Sequence, residues 1–469
     1  MQTRIQSAIV ISLKMNVIQK ITNICFVGNF YKTPLFHAIA QKLQNEGVGV
    51  YWIVSKKDQY KFLKTSYDSA KVLYINRTFI GKTSSIVDDF KLNELVYGDR
   101  VFKYEIQNGI KFLENIQRPL YDFINSNKIR FFFGELAWAH EVLIQRITKK
   151  RLELNCTYLQ FNVIRMPSQR FAFFRGETEF DMVEFEGNPN VDQIIKVEKP
   201  QYVKINDKIV KDSISISGRL NRIKRFVTGE NIEPNDPNVI VDRLIRFNIA
   251  TAEEINRTSY RLLKTTDFEE VKNEKYIFYG FQKQPESSLD VSGRYYEDQT
   301  AILTNLWRLL PSGWKLVAKE HTNAIGDRSI SFYKELLKYP GFILANEKID
   351  SKLLIENSQL VVTVNGTIAY EAGLMRKPAI TFAPVFFNKI NFIRFISFDN
   401  LVSYDNLSKL VDELKGQDDN RLEFTNYILK NSFQGYISDY VTDPSVMYDV
   451  NISRIVEAFS RLLAKNEKV

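Results

Sequence analysis

Between Tyr276 and Phe382 the sequence switches its hydrophobic period again and again, and this alternation constrains the fold more than any other feature of the chain. Short β-branched or aromatic runs occur at Tyr276–Phe281, Lys315–Lys319, Phe342–Leu344, Leu360–Val364 and Ala379–Phe382. Between them lie stretches with apolar residues at helical spacing: Asp298–Leu310, Ser331–Leu337, Lys352–Asn357 and Ile368–Met375. Strands joined through helices are joined by crossovers, so they run parallel in a doubly wound sheet. Such sheets hold ligands beyond the carboxyl ends of their strands.

A second unit of the same kind opens the chain. Ile24–Val27 ends at Gly28-Asn29, Leu35–Gln44 has helical spacing, and Val48–Val54 returns to a strand-like run, so Ile21–Val54 reads as a β-α-β unit. The rhythm recurs at Ile129–Phe133, the helical stretch Leu136–Lys149 and Cys156–Phe161. Phe180–Ser217 is polar and irregular and receives no assignment. Val239–Leu263 has long helical character, and the polar stretch Thr265–Lys275 is read as the linker between two domains. The expected fold class is α/β, two Rossmann-like doubly wound domains facing a cleft. The expected divisions are 15–268, 275–440, and a last segment 441–469 whose helix, about Val450–Lys465, crosses back to the first domain.

At 469 residues the chain is too long for one ordinary core. Its two cysteines, Cys25 and Cys156, sit in apolar runs, and its three histidines are far apart, so neither a disulfide framework nor a metal site is expected. The expected setting is a reducing, cytoplasmic one. No run of about 18 apolar residues is present to span a membrane. The short apolar run Ala8–Leu13 lacks a small-residue cleavage site after it, and Met15 is an alternative start. The net charge of +9 points to an acidic partner. Of the basic residues, Arg219, Arg222, Lys224 and Arg225 cluster, either as a solvated helix face or as a peripheral membrane contact.

Three motifs follow strand-like runs in the second half. The first is Asn365-Gly366-Thr367 after Leu360–Val364. Gly366 permits close backbone approach, Thr367 is expected to cap the following helix, and free N–H groups there suit a phosphate. Glu371, one turn on, is a candidate for ribose hydroxyls; the alternative is an ordinary capped helix. The second is Lys319-Glu320-His321, where Lys and His can offset leaving-group charge; the alternative is a surface His beside a turn. Arg328 either adds a cation or is simply exposed. The third is Gln284-Pro285-Glu286-Ser287-Ser288, a polar, Pro-stiffened loop at the expected cleft.

Together with Asp298-Gln299 and Leu310-Pro311-Ser312-Gly313-Trp314, these motifs resemble the capsular polysaccharide biosynthesis proteins, which include bacterial Kdo transferases using CMP-activated sugar. The resemblance spans about 276–385, and His321-Thr322 stands where that family usually has His-Pro. In the first half, Gly134-Glu135-Leu136-Ala137-Trp138 and Arg165-Met166-Pro167-Ser168-Gln169-Arg170 are similar to segments of the same group.

The resemblance implies a GT-B fold and metal-independent transfer from a nucleotide sugar to a polysaccharide or lipid-linked glycan acceptor, with no further cofactor. On this reading Gln284, Glu286, Ser287, Ser288, Lys319, Glu320, Asn365, Gly366, Thr367 and Glu371 hold the donor, and His321 acts on its phosphate. Glu135, at a strand-to-helix turn, is the candidate acid or base, or else a first-turn helix Glu favoured by the dipole. Arg165 and Arg170 either bind an anionic sugar or brace their loop. Asn29 is a weaker acceptor-side candidate, and His140 is read as a helix-packing residue. The basic aromatic run Phe386–Phe395 either rests on the inner membrane or packs over the site. A sugar-nucleotide epimerase, a polyol-phosphate transferase and a catalytically silent assembly scaffold remain open. A nucleic-acid partner is not expected, because no recognised motif accompanies the charge.

Overall fold

The computed structural model describes residues 22–81, 88–198 and 232–466, together with Gly218. The run Ala8–Leu13, Met15, the basic cluster 219–225 and 199–217 lie outside the described residues.

Two sheets organise the chain. The first contains β1 (Asn23–Val27), β2 (Gly49–Val54), β3 (Val72–Tyr74), β4 (Phe131–Gly134) and β5 (Thr157–Val163), parallel in the order β3-β2-β1-β4-β5. β6 (Arg170–Arg175) continues it antiparallel, with β7 (Asp181–Met182) beside β6. The second sheet contains β8 (Tyr276–Gly280), β9 (Lys315–Lys319), β10 (Phe342–Ala345), β11 (Leu360–Thr363), β12 (Ala379–Thr381) and β13 (Ile393–Phe395). Its order is β10-β9-β8-β11-β12-β13, all parallel. The fold is therefore α/β, with two Rossmann-like units.

Burial on both faces explains why these strands read as continuous apolar runs. Along β1, Ile24 and Phe26 enter one core while Cys25 and Val27 enter the other. Along β8, Tyr276 and Phe278 face one layer, and Ile277 and Tyr279 the opposite one. This two-residue alternation places helices on both sides of each sheet.

The chain crosses between units at places other than those read from the sequence. Residues 233–239 still belong to the first unit, where Arg77 donates from Nε to Asp236 O at 3.0 Å and Asn238 Nδ2 bonds Ser55 Oγ at 2.8 Å. The helix Arg243–Tyr260 already packs on the second, with Arg257 Nε on Ile325 O at 3.2 Å. Thr265–Lys275 is thus not the linker. Thr266 pairs with Ala345 beside β10, and Val271 is fully buried. Its polar composition reflects a solvated edge of the second unit.

The return to the first unit begins ahead of residue 441, at β14 (Phe433–Gln434), which pairs antiparallel with β6. The helix Asp449–Asn466 then covers the first sheet. Phe459 meets Phe133 at 4.6 Å, Phe173 at 5.1 Å and Phe161 at 5.4 Å between ring centroids. Among the described residues, no helix is long and apolar enough to cross a membrane. In the run Phe386–Phe395, Phe386, Phe387, Ile390, Phe392 and Ile393 are buried and Phe395 is exposed, so most of it packs inward.

Candidate functional site

Each sheet reverses its strand order once, between β1 and β4 and between β8 and β11, and such switch points open a crevice at the strand carboxyl ends. A polar pair bridges each crevice. In the first sheet Asn29, just after β1, donates from Nδ2 to Glu135 Oε2 at 3.0 Å, and Glu135 follows β4. Lys32 Nζ pairs with the other carboxylate oxygen. The sequence-derived acid/base candidate and the acceptor-side Asn29 are therefore brought together, with a lysine on the carboxylate.

In the second sheet the bridge is Gln282, which the sequence reading passed over. Its Oε1 accepts from Val364 N at 2.9 Å, Asn365 N at 3.1 Å and Thr363 Oγ1 at 3.2 Å, and its Nε2 donates to Asn365 Oδ1 at 2.6 Å. Gln299 holds Gln282 by two backbone bonds, at 3.0 Å each. One glutamine thus fixes the path of the Asn365-Gly366-Thr367 turn. The only local signal for it was a polar residue just past β8.

Gly366, not Thr367, is the N-cap of the helix Thr367–Leu374, and no side chain caps it. Thr363 Oγ1 instead accepts from Gly366 N at 3.1 Å, and a β-carbon on Gly366 would meet that oxygen at 2.6 Å. The expected cap by Thr367 is corrected: Thr367 is the first helical residue, which leaves first-turn N–H groups facing outward, an arrangement suited to anions.

These residues line a pocket between the two units. Arg165 and Glu179 come from the first; Ser288, Ser292, Asn365 and Thr367 come from the second, with Phe386 and Phe387 adding apolar wall. Of the residues singled out from sequence, the pocket gathers Arg165, Ser288, Asn365 and Thr367. Arg165 is exposed and takes a left-handed backbone, φ 66°. Glu371 lies partly buried one turn into the helix, on the Thr367 face. Glu179 is new. Asn162 Nδ2 donates to its Oε1 at 2.9 Å, and burial raises its carboxyl above the usual range, with Arg165 opposing and Glu135 adding to the rise.

The Gln-Pro-Glu-Ser-Ser loop folds around a buried aspartate. Asp290 accepts from Gln284 Nε2 and from Glu286 N, each at 3.0 Å, while Asn365 Nδ2 bonds Ser288 O. Gln284 is thereby a loop brace, and neither Glu286 nor Ser287 lines the pocket.

The Lys319-Glu320-His321 motif divides. Lys319 is buried, and His321 is exposed, its Nδ1 accepting from Asn323 N at 3.2 Å. Glu320 is 0% exposed and binds Arg328 Nη1 at 2.8 and 2.9 Å and the Tyr333 hydroxyl. The expectations that Glu320 touches donor and that Arg328 is an exposed cation are corrected, since the two satisfy each other inside the fold. Arg170 is likewise a brace: its Nε donates to Ser432 Oγ at 2.8 Å and its Nη2 to Leu429 O at 3.2 Å. His140 is buried in its helix and held neutral, its pKa lowered by burial to about 3. Among the described residues, no group of three His, Cys, Asp or Glu side chains is placed to hold a metal ion.

No family model matches this chain, and no curated protein matches it. Among solved structures, similarity extends to the Thermosulfurimonas dismutans KpsC beta Kdo 2,7 transferase at 10% identity, over 94% of this chain and 99% of that one, with a TM-score of 0.37. The UDP-GlcNAc 2-epimerase of Neisseria meningitidis bound to UDP-GlcNAc is 11% identical over 87% and 96%, with a TM-score of 0.29. Anabaena Alr3699/HepE in complex with UDP and glucose is 8% identical over 95% and 100%, with a TM-score of 0.27. At that level of likeness the strand order itself, rather than any neighbour, carries the statement of fold.

Proposed function

We propose that this chain is a metal-independent glycosyltransferase that moves a sugar from a nucleotide-sugar donor onto a growing surface polysaccharide in the cytoplasm. The observation that carries the reading is the uncapped N-terminus of the helix Thr367–Leu374, opening into the pocket opposite Arg165. Diphosphate or phosphate oxygens suit its free N–H groups, and the guanidinium offsets charge on the other side. His321, exposed beyond β9, lies on the same carboxyl-end face of the second sheet.

The first unit would present the acceptor. Glu135 is engaged by Lys32 and Asn29, so its side chain is held in place. Glu179 is the better placed proton exchanger: it lines the pocket, and burial raises its carboxyl above the usual range. Acid/base work therefore falls to Glu179, with Glu135 holding the acceptor side in place. The acceptor, whether a polysaccharide or a lipid-linked glycan, would enter from the first-sheet crevice.

Thermal stabilisation by CMP, CDP, UDP and GDP at matched concentration tests the donor site. A nucleotide at a hundred times its dissociation constant adds about 2.7 kcal/mol to the folded state. A selective response that Thr367→Val and Arg165→Ala both weaken supports the site; no response to any nucleotide sinks it. Product analysis with the responding sugar nucleotide then separates transfer from epimerisation, because an epimerase consumes no acceptor.

A further inference from the structure

The two units are also held together by an ionic network beside the pocket. Glu94, Arg146 and Glu177 come from the first unit, Arg294 and Tyr295 from the second. Arg294 Nη1 lies 2.5 Å from Glu94 Oε1 and 2.6 Å from Glu177 Oε2, Arg146 Nε lies 2.8 Å from Glu177 Oε1, and the Tyr295 hydroxyl donates to Glu94 Oε2 at 2.6 Å. Arg146 Nη2 closes the ring onto Glu94. Two carboxylates meet two guanidiniums, so the network is charge-balanced, and all four side chains are largely covered. Burial alone would raise the Glu94 carboxyl, yet the bonds from Tyr295, Arg146 and Arg294 hold it at about 2.

The network is tied to the pocket by a short segment. Ser288 and Ser292, at the ends of the turn Ser288–Ser292, line the pocket, and Ser292 Oγ donates to Glu177 O at 3.2 Å. Between them Val291 packs into a first-unit core, and the Asp290 carbonyl oxygen sits where a β-carbon on Gly98 would come within 2.5 Å. Arg294 follows two residues later. Around Phe386 the two units meet without ion pairs, with Phe174 against Phe386 at 5.8 Å between centroids, the Tyr370 hydroxyl donating to Met166 O at 2.8 Å and Phe386 N to Glu179 O at 2.7 Å. Packed rings held by a few short hydrogen bonds can act as a pivot, whereas a set of directional ion pairs is either made or broken.

We propose that the Glu94–Arg146–Glu177–Arg294–Tyr295 network is a latch that holds the cleft shut without ligand and opens to admit it, turning on the contact of Met166 and Phe174 with Tyr370 and Phe386. The latch is a property of the unliganded chain and holds whatever the cleft binds.

Small-angle scattering of the unliganded full chain reads the separation of the units directly. Arg294→Ala is expected to enlarge the radius of gyration with far-UV circular dichroism unchanged. Gly98→Ala gives the same expansion by pressing on Asp290 while every network residue remains. Identical scattering of folded wild type and Arg294→Ala at low salt overturns the latch. Should Arg294→Ala not fold, Tyr295→Phe, at a residue 69% exposed and losing one hydrogen bond, replaces it. Absence of expansion in both Tyr295→Phe and Gly98→Ala then overturns the proposal equally.

Discussion

Arg328 places Nη1 at 2.8 and 2.9 Å from the two carboxylate oxygens of Glu320, and neither side chain reaches solvent to any useful extent. Burial raises the Glu320 carboxyl while Arg328 opposes the rise. Arg328 also donates to Gln282 O, so the pair supports the residue that shapes the Asn365–Thr367 turn. Removing one partner leaves the other as an uncompensated buried charge. Arg328→Ala is therefore expected to cost about 3–5 kcal/mol in urea unfolding, far more than a surface arginine. A loss below about 1 kcal/mol would show that the pair is solvated in solution.

His321 separates binding from stability. It is exposed, and its Nδ1 caps a three-residue turn by accepting from Asn323 N. His321→Ala should change unfolding free energy by no more than about 0.5 kcal/mol. If the imidazole faces donor phosphate, the same substitution weakens the nucleotide-induced rise in melting temperature, by the equivalent of about tenfold in affinity or 1.4 kcal/mol. An unchanged nucleotide response removes His321 from the site.

These two residues also show what one dimension reveals. Lys319-Glu320-His321 was legible as a strand-end motif because β9 is buried on both faces and reads as an apolar run. Which of the three points inward was not legible, since Arg328 and Tyr333 reach Glu320 only through the fold. The helix Ile106–Ser126 was missed because Gly109 and Pro119 interrupt its pattern, although Phe112, Leu113, Ile116, Leu120 and Ile124 form one buried stripe. β3 and β13 are three residues each, too short for a period to declare itself. Glu179 had no local signal, since only the antiparallel return through β6 carries it to the cleft.

Glu141 gives the chain a pH dependence of predictable sign. It is fully buried, and burial raises its pKa from 4.5 to about 8, with bonds from Ala137 N at 2.6 Å and Trp138 N at 3.0 Å opposing and the Glu135 charge adding to the rise. Between those values the folded state binds a proton that the unfolded state does not, so stability falls as pH rises. The contribution is fully present below about 4.5 and is lost as pH climbs through the window toward 8. Glu141→Gln keeps an oxygen to accept the two N–H bonds and removes the titration. Urea unfolding from pH 5 to 8 should show a slope that is flatter in the variant by up to about 1.4 kcal/mol per pH unit. Parallel slopes in the two proteins would mean that Glu141 is ionised in the folded state.

Arg165 and Arg170 lie five residues apart, and the fold assigns them opposite work. Arg170 is held by Ser432 Oγ at 2.8 Å and Leu429 O at 3.2 Å, where the chain leaves the second unit to form β14. Burial lowers its pKa, and it is not among the residues lining the pocket. Arg170→Ala breaks charge-assisted bonds to carbonyl groups left buried, so it should destabilise by about 1.5–3 kcal/mol and leave nucleotide stabilisation unchanged. Arg165 is exposed at the pocket, beside Glu179 and across from Thr367. Arg165→Ala should leave unfolding within about 0.5 kcal/mol of wild type and reduce the nucleotide response. Its loss also removes a cation that opposes the raised Glu179 pKa, so that carboxyl should titrate at still higher pH. Urea curves with and without the responding nucleotide, on both variants, decide the matter. If Arg170→Ala abolishes the nucleotide response in a protein that stays folded, then the crossing at β14 contributes to the site and the division between brace and ligand contact is wrong.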